Sequence, residues 1–120
     1  MSTSTPTAPD QLPPTIREYL AAHTARDVDA ALRAFSVTGS VTDDGQTFRG
    51  TEEILHFLNK AGAEFRYTTE LIGARRVDDA HWVATNRLEG DFPGGVAELD
   101  YRFTLRDDLI ADLVIANHEA

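Results

Sequence analysis

At 120 residues and 42% hydrophobic content, the chain is long enough for one domain with a real core and too short for two. A formal net charge of −9, from 20 acidic against 11 basic residues, argues against nucleic acid, because phosphate backbones are held by basic surfaces that release counterions. With no cysteine there are no disulfides, thiolate metal sites or cysteine nucleophiles, and His23, His56, His81 and His118 are too scattered for metal-ligand spacing.

Residues 1–12, "MSTSTPTAPDQL", are rich in Ser, Thr, Pro and Ala, with neither an apolar core nor a basic start. They read as a disordered tail, not a signal peptide, which leaves 13–120 as a single domain. No apolar run approaches the ~18 residues a membrane span needs, so a soluble, cytoplasmic protein without membrane contact is expected.

"PPTIREYLAAHTARD" opens a helix on its prolines and sets Ile16, Tyr19, Leu20 and His23 on one stripe. Asp27 caps a second helix, "VDAALRAF", with Val28, Ala31, Leu32 and Phe35 inward. "GSVTDDGQTFRG" reads as two short strands around a turn. Thr51 then caps a third helix, whose buried face is Ile54, Phe57, Leu58 and Ala61 and which Gly62 can end.

From Phe65 onward four strand-like runs follow, parted by Asp78-Asp79, Phe92-Pro93-Gly94-Gly95 and Asp107-Asp108. In the third run Ala97, Leu99, Tyr101, Phe103 and Leu105 share a face, and Glu98, Asp100, Arg102, Thr104 and Arg106 take the other. Helices followed by a long antiparallel meander make the class α+β, with a curved sheet leaving a conical cavity under the helices.

Within that scheme the pair Asp43-Asp44 separates by alternation. Asp43 shares a strand face with Val41, and Asp44-Gly45 suits the hairpin turn. A carboxylate in an apolar pocket loses hydration and gains basicity, so an inward Asp43 has the chemistry of a proton acceptor. Tyr19, with His23 one turn further on, presents a hydroxyl inward, either to a ligand or to backbone and water within the core. Trp82, Ala84, Asn86 and Leu88 share another strand face, where Asn86 offers a polar group among apolar ones.

These residues carry a family resemblance. "IREYLAAHTARDVDAALRAF", "SVTDDGQTFRGTEEILHFL" and "LEGDFPGGVAELDYRFTLRDDLIADLVI" resemble the nuclear transport factor 2-like superfamily, home of ketosteroid isomerases and SnoaL-like polyketide cyclases. The resemblance covers roughly residues 14 to 117. It implies a cone of three helices on a curved, mainly antiparallel sheet. It also implies a catalytic tyrosine at Tyr19, a general base at Asp43 and a second oxyanion donor at the position of Leu99, which has nothing to donate.

The expectation is a hydrophobic pocket lined by Tyr19, His23, Asp43, Phe57, Trp82, Asn86, Leu99 and Tyr101 in a homodimeric protein. One reading is a cofactor-free, metal-free isomerase or cyclase acting through Asp43 on a hydrophobic carbonyl compound. The other is a non-catalytic ligand-binding or accessory module. Leu99 weakens the first and leaves the second untouched.

Overall fold

A computed structural model describes residues 5–43, 45–63 and 67–118, with backbone only for 61–63. Strand β1 (Thr5–Thr7) and a 3-10 turn (Pro9–Gln11) precede helices α1 (Pro14–Ala25) and α2 (Val28–Arg33). Strands β2 (Phe35–Asp43) and β3 (Gln46–Arg49), helix α3 (Gly50–Ala63) and strands β4 (Tyr67–Arg76), β5 (His81–Gly90), β6 (Val96–Arg106) and β7 (Leu109–Asn117) follow. One seven-stranded sheet runs β1-β4-β5-β6-β7-β2-β3, antiparallel except for the parallel β2–β7 pair. Three helices packed on this curved sheet make the α+β cone.

Local chemistry accounts for each element. Pro14 sits in the first turn of α1, where a missing N–H costs nothing, and Arg26 ends the helix in the left-handed region (φ 59°). The N–H of Asp27 closes the motif on the Ala22 carbonyl at 2.8 Å. Asp27 also caps α2, its carboxylate accepting from the Ala30 N–H at 3.2 Å. With Thr51 as its cap, helix α3 would begin at Glu52; it begins two residues earlier, at Gly50 (φ 83°), and the Glu53 carboxylate accepts from the Arg49 N–H at 2.9 Å. It continues through Gly62 to Ala63.

The core is formed by Ile16, Tyr19 and Leu20 of α1, Ile54 and Phe57 of α3, and the concave sheet face. Tyr101 and Phe103 are buried there, whereas Glu98, Arg102 and Arg106 are exposed on the convex face. Asp100 departs from the solvated outer face the sequence suggests. It is buried, accepting from the Thr85 hydroxyl at 2.6 Å with His118 Nδ1 at 2.9 Å. Register shifts at Phe35/Ser40, Leu71/Gly73 and Thr104/Leu105 mark bulges, which add twist and curl the sheet around the helices. Asp107 and Asp108 both take positive φ, as a tight β6–β7 hairpin requires. Asp44 lies outside the described residues, as does the Ala61 side chain; Gly45 (φ 78°) supplies a left-handed turn residue.

The structure moves the N-terminal boundary. Residues 5–12, read from composition as tail, lie on the domain: Thr5, Pro6 and Thr7 pair with Arg76, Arg75 and Ala74, and Leu12 is 1% exposed in the core. Composition misses this because a single anchoring leucine is invisible against a Ser/Thr/Pro background. Full burial of a leucine stabilises by roughly 1.5–3 kcal/mol. A chain starting at Pro13, or Leu12→Ala, is therefore expected to melt about 10 °C lower by circular dichroism; an unchanged melting temperature would restore the dispensable tail.

Candidate functional site

Parallel pairing of β2 with β7 sets Asp43 beside Ile115, and Ile115 pairs in turn with Tyr101 on β6. Asp43, Ile115 and Tyr101 thus form one row on the concave face. This row closes the inner end of a cavity of about 360 Å³. Its walls are Phe57 of α3 and Leu88, Ala97 and Leu99 of the sheet, with Phe92 and Pro93 of the β5–β6 turn at the rim. His23 and Tyr67 complete the polar end. A few hydroxyl, carboxyl and imidazole groups in an apolar chamber is the usual composition of a small-molecule site.

Of the eight residues expected to line the pocket, His23, Asp43, Phe57, Leu99 and Tyr101 do. Tyr19, Trp82 and Asn86 do not. Tyr19 is 0% exposed and lies behind the cavity, its ring stacked on His23 (5.8 Å) and edge-on to Phe35 and Phe103. Trp82 is one row away from the cavity, paired with Phe103 and with the Arg76 guanidinium 5.8 Å from its ring centroid. Asn86, 2% exposed, lines a separate groove with Arg17, Leu20, Thr24 and Leu71 on the other side of α1. Helical and strand periodicity give the direction of a side chain but not its depth.

Tyr67 is a cavity-lining residue with a polar group that sequence reasoning passes over. It opens β4 on the inward face, and the Arg26 guanidinium stacks 5.1 Å from its ring centroid while donating to its carbonyl at 3.3 Å. That contact explains why a non-glycine residue is held in a left-handed conformation at the end of α1. The alternation of β4 and the tyrosine at its start were the available signal.

Electrostatics at the polar end favour protonated phenols. Burial, reinforced by the charges of Tyr19, Tyr67 and Asp43, pushes the Tyr101 hydroxyl well above the ordinary tyrosine range. Burial and then the charges of Tyr67 and Asp43 likewise raise Tyr19, whose hydroxyl has no hydrogen-bond partner among the described residues. Tyr67 is raised by burial and by Asp43, against a lowering effect from Arg26. Burial and then Arg26 lower His23, so it is neutral at physiological pH, with Nε2 at 3.4 Å from the Tyr101 hydroxyl. No group of three or more His, Asp or Glu side chains that could hold a metal occurs among the described residues. No helix among them is long and apolar enough to cross a membrane.

No family model and no curated protein matches the chain. Solved structures do. A candidate polyketide cyclase from Sinorhizobium meliloti superposes with a TM-score of 0.85 at 29% identity, covering 92% of this chain and 100% of the other. A protein of ketosteroid isomerase-like fold from Catenulispora acidiphila, in complex with trimethylamine, gives 0.76 at 19% identity over 87% and 85%. A Mycobacterium tuberculosis protein in complex with estradiol-17β-hemisuccinate gives 0.72 at 14% over 87% and 91%.

The raised phenols carry a pH consequence. Tyr19 and Tyr101 keep their protons in the fold but ionise near pH 10 when unfolded, so the stability they contribute is present below about pH 10 and lost above it. Each phenol adds a slope of up to about 1.4 kcal/mol per pH unit. Denaturant titrations above pH 10 should show this loss, with tyrosinate absorbance rising together with unfolding. Tyr19→Phe should reduce the slope by one proton's worth and, by removing an unpaired buried hydroxyl, keep or raise stability near neutral pH. Tyrosinate absorbance rising fully before unfolding would contradict the burial argument.

Proposed function

We propose that this chain, a member of the nuclear transport factor 2-like superfamily, is a cofactor-free isomerase or cyclase acting on a hydrophobic carbonyl compound. The observation that carries this reading is the Asp43 carboxylate sharing the polar end of an apolar cavity with the Tyr67 and Tyr101 hydroxyls. Asp43 removes a proton from the carbon next to the carbonyl. The C–H electron pair moves into the C–C bond, and the carbonyl oxygen becomes an enolate oxygen. A phenol held protonated by its surroundings donates to that oxygen where the charge develops. Return of the proton to another carbon isomerises the substrate; attack of the enolate carbon on a second carbonyl closes a ring.

In this assignment Tyr101 and Tyr67 are the donors, and Tyr19 supports them from behind through His23. Leu99 lies where the resemblance expects a further donor, and Tyr67 supplies a hydroxyl the resemblance does not use. The neighbours crystallised with trimethylamine and with a steroid ester support a small-molecule cavity in this fold. Leu99 favours the second reading, a non-catalytic binding module. Asp43→Asn separates the two. It keeps the shape and loses the basicity, so turnover of an enolisable ketone should fall at least about a hundredfold while binding persists. Equal turnover by wild type and variant would remove Asp43 as the base, and binding without turnover in either would leave the binding module.

We further propose a homodimer through the convex sheet face. Arg75, Val83 and Arg102 make one row across that face, and Glu70, Arg87 and Glu98 make another two rows on. A two-fold axis between the rows would set arginines of one copy against glutamates of the other. Sedimentation at micromolar concentration should give twice the 13.2 kDa monomer mass. Arg102→Glu should shift it to monomer, and adding Glu98→Arg should restore association. A wild-type monomer would end the proposal.

A further inference from the structure

The ligand class of the cavity can be taken further, resting on its reading as a small-molecule site but not on turnover. Five of its lining side chains are rings: His23, Phe57, Tyr67, Phe92 and Tyr101. The acid among its lining residues is Asp43, and no lysine or arginine lines it among the described residues. His23, the one basic side chain of the wall, is neutral at physiological pH because burial and Arg26 lower it. The charge of Asp43 is felt at both cavity phenols. The chain as a whole carries a formal net charge of −9.

We propose that this cavity takes a cationic amphiphile, with a tertiary or quaternary ammonium head against Asp43 among the rings of Tyr67, Tyr101 and Phe57, and an apolar tail running out past Leu99 toward Phe92. Ring faces attract a cation through their quadrupole, most strongly where water is excluded, and a carboxylate supplies the opposite charge. An alkylated ammonium suits the walls better than a primary one. It is weakly hydrated and its alkyl groups lie against the ring faces, whereas a primary ammonium gives up a stronger hydration shell on entry.

Arg26 is the cation that opposes such a ligand. It sits 5.1 Å from the Tyr67 ring centroid and is itself exposed. Solvent screens this exposed charge more than that of a carboxylate lining the cavity, so the carboxylate prevails. An ammonium head occupies the carboxylate that would otherwise accept a proton. Amines of this class are therefore competitive ligands of any neutral carbonyl substrate.

The test compares benzyltrimethylammonium with neopentylbenzene, its neutral carbon isostere, by amide NMR titration of the whole chain. The cation should bind at least tenfold more tightly, moving the amides of Asp43, Tyr67 and Tyr101. In Asp43→Asn its affinity should fall at least tenfold while that of the isostere stays within about twofold. The wild-type comparison needs no variant, so it holds even if Asp43→Asn folds poorly. An isostere binding as well as the cation, or a cation indifferent to Asp43→Asn, overturns the ligand class and leaves the cavity reading standing. Neither probe binding at millimolar concentration overturns both.

Discussion

The parallel pairing of β2 with β7 is the contact on which the site depends. Asp43 and Ile115 are neighbours only because a strand from the helical half of the chain joins the last strand of the meander. The Ser40 hydroxyl donates to the Asp112 carboxylate at 2.7 Å, and the Ile110 N–H donates to the Ala34 carbonyl at 2.8 Å, which ties β2 to β7 near the start of the pair. A slip of one residue would turn Asp43 to the convex face and Thr42 into the cavity, since strand side chains alternate. Gly39 belongs to the same constraint. A Cβ there would stand 3.0 Å from the Ile110 carbonyl oxygen, so the strands approach as closely as they do only without a side chain.

Polar groups at the cavity end are arranged in layers. Tyr101 and Tyr67 face the cavity, His23 touches Tyr101, and Tyr19 lies behind His23 with its hydroxyl unpaired among the described residues. Burial keeps every member of this stack uncharged, leaving Asp43 as the acidic group among the cavity-lining residues. A cluster built this way sets one carboxyl group among several neutral dipoles.

Much of this was legible in the residues. The inward faces of β6 and α3 and the shared face of Val41 and Asp43 follow from periodicity of two and 3.6. Depth was not legible. Trp82, Ala84, Asn86 and Leu88 do share a face, yet the strand that carries them spans ten residues, roughly 33 Å, and passes beneath different helices along the way. Sharing a face is not sharing a pocket. Tyr67 escaped notice because the alternation of β4 gives it an inward face but not a depth, and its partner Arg26 lies forty-one positions away. Leu12 was hidden for the opposite reason, a single apolar residue whose significance is its position on the folded sheet.

Strand β1 has one more consequence. It is three residues long, Thr5-Pro6-Thr7, and it forms the outermost strand on its side of the sheet. The middle residue has no N–H, so the free edge it presents to solvent is deficient as a template for another strand. The N-terminal segment thus acts as a terminator on its own side: it fills part of the β4 edge with a short strand poor in donors, which blunts that edge as a template for a further strand.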